Sequence, residues 1–555
     1  MDWCHREFSE LAGILNADSS TRSATMKSDA AIGGGDNAIK SVALRAVESY
    51  RAGRFGELPS IIQNAQSIFP VLPVPLFRLL LAARQLAGEQ DRIAMDFLDF
   101  GCAAVDAGQH EIGAEAIGSA FVEDAACSLN LVYQPAEIRR GTDRYEIIAG
   151  ESGAKWPIRP EHRDGDRLRI GLLIPNLVDN VVAYTKRVLD FSKYLDAAKC
   201  DLHVYSTENM CHRARQLPCR HSAEPSEQWG RESLAILRQR GVHVYLAERN
   251  VSLIQAAHDV AGRVTTDGIE VLVTQAGPTM PIDWLACRLC KAPVKIHIHI
   301  GIPLYQRGIA VTLFDNAHNM ERERTCWPDY AGDLRLMRQG TDIELLDAQQ
   351  PFERRHFGLS EDNVLVGVLS NHLDTRLGAS YVDVIIAALK QNPEARFVPI
   401  GGKQLSGAVL EQFRLSGVGK QIVHIPVQKE VGRILKMLDV FAAEFPVSGS
   451  QSVVEAMVCG IPVVAMRSSN THVGSTGADI VGSEYAIGQY DPQAYLARLK
   501  EWMGNVPARR LAGCAMRMRA EREFSIRRYV EGVYRLGVDL LEQARKGRAG
   551  HPCAV

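Results

Sequence analysis

The chain has 555 residues, 46% of them hydrophobic and 23% charged, with a formal net charge of −2. That length accommodates about three domains with packed cores, and the near-neutral balance gives no sign of a nucleic-acid or polyanion binder. No apolar run reaches the roughly 18 residues that a bilayer-spanning helix needs, and the start, Met1-Asp2-Trp3-Cys4-His5-Arg6-Glu7, lacks the basic-then-apolar order of a secretory signal.

Twelve cysteines are scattered rather than framed. Cys102, Cys127 and Cys459 stand in apolar surroundings, where a thiol behaves as a small hydrophobe, and the set suggests a reducing cytoplasm. Cys287-Arg288-Leu289-Cys290 has metal-like spacing but falls in a helical pattern with no second pair. Cys211-His212 and Cys219-x-His221 carry zinc-ligand residue types without the strict spacing, so a surface loop is the plainer reading.

Taken in order, residues 1–36 contain Asn16-Ala17-Asp18-Ser19-Ser20 and Gly33-Gly34-Gly35-Asp36, and are expected to be disordered. Residues 37–150 change character. Apolar residues recur at three- and four-residue spacing over 38–50, 58–68, 76–86, 93–107 and 112–125, punctuated by Gly53, Gly88 and Gly108. Ser49-Tyr50-Arg51-Ala52-Gly53-Arg54-Phe55-Gly56 resembles the turn of a tetratricopeptide-type hairpin, so this all-helical domain is either a short stack of helix pairs or a plain bundle.

Residues 160–340 alternate strand and helix. Strands are expected at 168–174, 201–205, 242–246 and 269–273, and helices at 184–195, 233–240 and 253–264. Over 294–300 apolar residues alternate with Lys295, His297 and His299, which puts both histidines on one face. After a polar connection near 316–350 the alternation restarts and fills 350–545. Here strands are expected at 364–369, 395–400, 422–425, 440–443 and 461–465. Helices are expected at 381–389, 409–415, 431–438 and 453–458, with an Arg-rich helical stretch over 492–545. The fold class is therefore α/β: a pair of doubly wound Rossmann-like domains behind an all-α front. Such a pair places its ligand in the cleft at the carboxyl ends of the strands. Gly171 and Gly367 stand inside strands, and neither Gly-x-Gly-x-x-Gly nor a Walker motif opens either domain, which argues against a nicotinamide, flavin or P-loop enzyme.

The most informative stretch is 445–465. It reads as a small-polar loop, Ser448-Gly449-Ser450-Gln451-Ser452, then a short helix, a Gly460-Ile461-Pro462 break and a buried strand. A helix start with unpaired N–H groups and a positive dipole end suits a phosphate. Glu455, one turn in, is placed to accept from a sugar hydroxyl.

Several segments occur in a fixed order: 267–277, 292–303, Phe314-Asp315, 356–362, Ser370-Asn371-His372, 392–397 and the 448–455 loop. The succession resembles the catalytic region of the O-linked N-acetylglucosamine transferase family and of its bacterial relatives that glycosylate adhesins and flagellins. The likeness covers about residues 165–540 and implies the two-lobed GT-B fold. It also implies inverting transfer from a UDP-sugar, no metal and no cofactor beyond that donor, and a protein acceptor held by the helical front. The place of the family's diphosphate lysine falls on Thr375, so that Arg376 beside it is the candidate cation. By the same likeness Asn371, Gln428, Lys429, Ser450, Gln451, Ser452, Glu455 and His472 are donor-side residues. The acceptor side departs from the pattern: Pro175-Asn176-Leu177-Val178 has no histidine, and Gly301-Ile302-Pro303-Leu304 replaces a glycine-rich segment.

Candidates for proton transfer in the first lobe are Asp179, Asp267, His297 and His299, with no single general base singled out. Against these roles, paired histidines can simply cover an edge strand, and Asp267 can cap a turn. Competing readings are a transferase acting on a glycan, lipid or small molecule, and a non-hydrolysing UDP-N-acetylglucosamine epimerase, which shares a Ser-Gly-x-Gln-like loop. A non-catalytic scaffold on a degenerate transferase fold is the remaining one.

Overall fold

The computed structural model describes residues 4–9, 35–67, 69, 71–127, 131–132, 134–151, 167–179, 183–209, 212, 216–217, 230–299, 306–327, 332–370, 373–402, 405–446, 448–468 and 476–549. A helical front leads into two parallel α/β lobes.

The first lobe is built on β1 (Leu168–Ile174), β2 (Cys200–Ser206), β3 (His243–Leu246), β4 (Val271–Thr274), β5 (Val294–Ile298), β6 (Val311–Phe314) and β7 (Asp333–Leu336), in the order β3-β2-β1-β4-β5-β6-β7. Every pairing is parallel. The second lobe holds β8 (Val364–Leu369), β9 (Ala395–Ile400), β10 (Val440–Ala442) and β11 (Val463–Val464), in the order β11-β10-β8-β9. Both sheets reverse direction beside their first strand, and each reversal leaves a crevice at the carboxyl ends.

Apolar runs buried on both faces explain why the central strands were legible, and the two in-strand glycines serve packing. A Cβ on Gly367 would lie 2.2 Å from Leu438 Cδ1, and one on Gly171 would lie 3.0 Å from Ile269 Cγ2. Three expectations need correction. The span 422–425 is reduced to single bridges, Phe397 to Ile422 and Ile400 to Ile425. β6 was not anticipated. The connection near 316–350 holds the helix Ala317–Cys326, β7 and the helix Ile343–Ala348; β7 alternates charged Asp333 and Arg335 on a largely exposed edge, which reads as loop.

The front comprises helices Gly35–Arg51, Leu58–Gln63, Val74–Leu86, Ile93–Asp106, His110–Cys127 and Pro135–Glu151. The last was not anticipated, and it docks the front on the first lobe. Tyr145 donates to the Pro278 carbonyl at 3.0 Å, and Arg288 pairs with Glu146 at 2.8 Å. The expectation of disorder over 1–36 fails for residues 4–9, which are helical: Phe8 is buried and stacks on Tyr50 with ring centroids 4.6 Å apart. Residues 10–34 lie outside the described residues.

Helices Pro492–Gly504 and Val506–Glu523 cover the second lobe, and Ile526–Ala549 crosses back to the first. Its Tyr529, Val530, Val533 and Leu536 join the core that contains Val271, Ile296 and Val311. Arg545 pairs with Glu270 at 2.8 Å. The chain thus passes between lobes twice, and the two passages touch. Thr341 N–H donates to the Phe524 carbonyl at 3.0 Å, and Ile526 N–H donates to the Thr341 carbonyl at 3.2 Å. Among the described residues no helix is long and apolar enough to cross a membrane.

Candidate functional site

The second lobe's crevice lies where β8 and β10 end. After β8 the chain turns into the short helix Leu373–Arg376; after β10 it runs through Glu444 into the loop that starts the helix Gln451–Val458. Val454 N–H already bonds the Ser450 carbonyl, and the N–H groups of Gln451, Ser452 and Val453 have no backbone partner among the described residues.

Beneath the loop lies a carboxylate that sequence reasoning missed. Glu444 is buried; its Oε1 accepts from Arg376 Nη1 at 3.2 Å and from Gly449 N–H at 3.2 Å. Burial pushes this carboxyl above its ordinary value, against the pull of the Arg376 guanidinium. Oε2 of the same group is buried without a hydrogen-bond partner. A charged residue directly after the apolar run of β10 was the available signal. Arg376 therefore does reach the loop region, with a side chain 29% exposed, and its charge is shared with Glu444.

Glu455 sits one turn into the helix, 4% exposed. Its Oε1 accepts from Lys186 Nζ at 2.9 Å and from Gln451 Nε2 at 3.3 Å. Lys186 belongs to the first lobe, on the helix Ala183–Tyr194, so this carboxylate lies at the lobe boundary. Nothing in the sequence singled out Lys186. A second contact closes the same boundary: Lys429 pairs with Glu232 at the start of the helix Arg231–Gln239. Asp179 Oδ1 accepts from the Glu232 N–H at 3.3 Å, which brings Asp179 to the same edge. Gln428 turns back on its own segment, donating to the Pro426 carbonyl at 3.2 Å. Ser448 Oγ accepts from Gly477 N–H at 2.8 Å and ties the loop to the helix Thr476–Val481. Ser450 precedes the helix without a side-chain capping bond, and Ser452 is buried in the first turn. Asn371 and His472 lie outside the described residues, as does most of the 211–221 loop.

Of the first-lobe candidates, Asp179 reaches this edge; Asp267, His297 and His299 make no contact with these groups among the described residues. Asp267 is at the amino end of β4, where its Oδ2 accepts from Tyr205 at 2.8 Å and Arg263 at 2.9 Å. That is the wrong end of the sheet for a crevice residue. His297 is fully buried within β5, its Nε2 3.0 Å from the Ala276 carbonyl, and burial lowers its pKa to about 3. His299 is 2% exposed and packs on Phe314 with centroids 4.6 Å apart; burial holds it, too, well below the usual range. The pair shares a face, as expected. β5 is a central strand, however, so neither histidine is on an edge and neither meets solvent. Cys287 and Cys290 are also buried, with the Cys290 thiol donating to the Cys287 carbonyl at 3.3 Å, which leaves no open metal pair there.

Residues 364–505 match the family described as Glycosyl transferases group 1. No curated protein matches the chain in sequence. Among solved structures, an O-GlcNAc transferase mutant from Thermobaculum terrenum is similar over 91% of this chain and 98% of its own, at 16% identity and a TM-score of 0.50. A glycosyltransferase from Rickettsia africae ESF-5 is similar over 68% of this chain and 99% of its own, at 11% identity and a TM-score of 0.53. The second lobe thus carries the match to the group 1 glycosyltransferases, and the chain shares the two-lobed fold of solved glycosyltransferases.

Proposed function

We propose that the protein is an inverting, metal-independent glycosyltransferase that moves a sugar from a UDP-sugar to a protein acceptor, at Ser/Thr or Asn, of the flagellin or adhesin kind, in the cytoplasm. The observation that carries this reading is the position of Glu455 and the first-turn N–H groups at the lobe boundary, within the region that matches a glycosyltransferase family. In this reading the helix start and Arg376 neutralise the departing diphosphate, replacing a metal. Glu455 accepts from the ribose, and Gln428 and Lys429 flank the base. The helical front, tetratricopeptide-like in its turn, offers the acceptor surface. The name of the Thermobaculum terrenum structure, an O-GlcNAc transferase, is in keeping with N-acetylglucosamine as the transferred sugar.

A second reading has its own observation. Glu455 and Arg376 are each already paired within the chain, to Lys186 and Glu444. A scaffold that has lost its donor would look the same. Titration with UDP and UDP-sugars separates the two. Micromolar binding that Glu455→Ala weakens supports the transferase, and absence of binding supports the scaffold. Mass spectrometry of co-expressed proteins then distinguishes a protein acceptor from a glycan, lipid or small molecule.

A further inference from the structure

β3 is a four-residue edge strand whose side chains are half-exposed or exposed. The register sets His243, its first residue, directly opposite His203 of β2. Asp201 is two residues before His203 and therefore on the same face. The imidazoles of His203 and His243 stack, with centroids 4.6 Å apart and planes 24° from parallel. Both present Nε2 to the Asp201 carboxylate: His203 Nε2 lies 3.7 Å from Oδ2 and His243 Nε2 lies 3.6 Å from Oδ1. One ligand atom from each of the three falls within 4.8 Å of the others.

We propose that Asp201, His203 and His243 form a binding site for a divalent transition-metal ion of the zinc class, separate from the donor crevice. A tetrahedral ion with bonds of about 2.1 Å holds its ligand atoms about 3.4 Å apart, so small side-chain rotations complete the set. Two imidazoles and a carboxylate are the ligand types that such ions prefer. His203 is 9% exposed, and its Nε2 is buried without a hydrogen-bond partner, aimed at the space between the three groups. Its other nitrogen, Nδ1, faces Asp267 Oδ2 at 3.8 Å. At that distance there is no hydrogen bond, and Asp267 Oδ2 is engaged by Tyr205 and Arg263. The competing cation is Arg167, which reaches Asp201 Oδ1 only at 3.7 Å with a side chain 52% exposed, so it can yield that oxygen. Bound there, the ion ties the short edge strand to β2 and leaves one coordination position to water.

The full-length, tag-free chain, stripped with EDTA, is titrated with Co²⁺ and Zn²⁺ and read by visible absorption and calorimetry. The expected result is one equivalent bound with a tetrahedral d–d spectrum and no thiolate charge-transfer band, together with a rise in the unfolding midpoint on adding Zn²⁺. His243→Ala alters an exposed side chain, 63% accessible, and is expected to abolish that equivalent while the metal-free fold persists by circular dichroism. A one-equivalent signal unchanged in His243→Ala, a thiolate band, or no saturable binding would overturn the site.

Discussion

Lys186 in the first lobe donates to Glu455 in the second across 2.9 Å, and so joins the two halves beside the second lobe's crevice. With the Glu455 side chain 5% exposed and that of Lys186 25% exposed, the pair is shielded from solvent on the acid's side only. In the proposed function Glu455 therefore has two competing uses, holding the lobes together and receiving a ligand hydroxyl.

Glu455→Ala is expected to weaken UDP binding about tenfold or more, the loss of one hydrogen bond to a charged group. Calorimetric titration of both proteins checks it. Equal affinities would remove Glu455 from the donor site.

Arg376→Ala is expected to reduce kcat by roughly a hundredfold, with a smaller change in UDP affinity, because a cation aimed at the departing diphosphate matters most as its charge develops. The substitution also leaves buried Glu444 without its counter-ion, so folding is checked in parallel by circular dichroism. A defect confined to binding would contradict the assignment.

Stability should fall as pH rises from about 4 to 7. Asp283 is fully buried, accepts from Thr207 at 2.5 Å, and burial lifts it from 3.8 to about 7. Asp190 is lifted likewise to about 7, first by burial and then by Asp342. Between the unfolded and folded values the native state holds protons that the unfolded state has released. Stability is therefore greatest below about 4 for these groups, declines through the interval and levels off above 7. Asp283→Asn should flatten the slope measured by thermal unfolding across that range; an unchanged slope would rule out Asp283 as its source.

Gly340→Ala should lower stability by about 1–3 kcal/mol, the cost of overpacking. A Cβ there would lie 2.4 Å from Ile526 N and from the Phe524 carbonyl oxygen, both backbone atoms of the second passage between lobes. Denaturant unfolding measures the loss. A silent substitution would mean the two passages are not held together.

Local pattern carried much of the fold into view. The apolar runs of β1, β8 and β9 are buried on both faces and need no partner to be recognised, so β8 and β9 were found at their observed ends. The loop around Ser448 announced itself through small polar residues before a helix, because unpaired N–H groups at a helix start favour that composition. β7 and the helix Pro135–Glu151 were not legible. The first alternates charges on an exposed edge, and the second is recognised by what it packs against, Trp284 and the Pro278 carbonyl.

The sequence by itself determined two doubly wound lobes and the place of the helix-start turn at Ser450, since strand burial and helix-start chemistry are properties of neighbouring residues. Only the tertiary structure decided which polar groups meet. It buried His297 and His299, set Asp267 at the amino end of β4, and joined Lys186 to Glu455 and Arg376 to Glu444. Burial and pairing depend on the packing of segments hundreds of residues apart, and no local pattern encodes that.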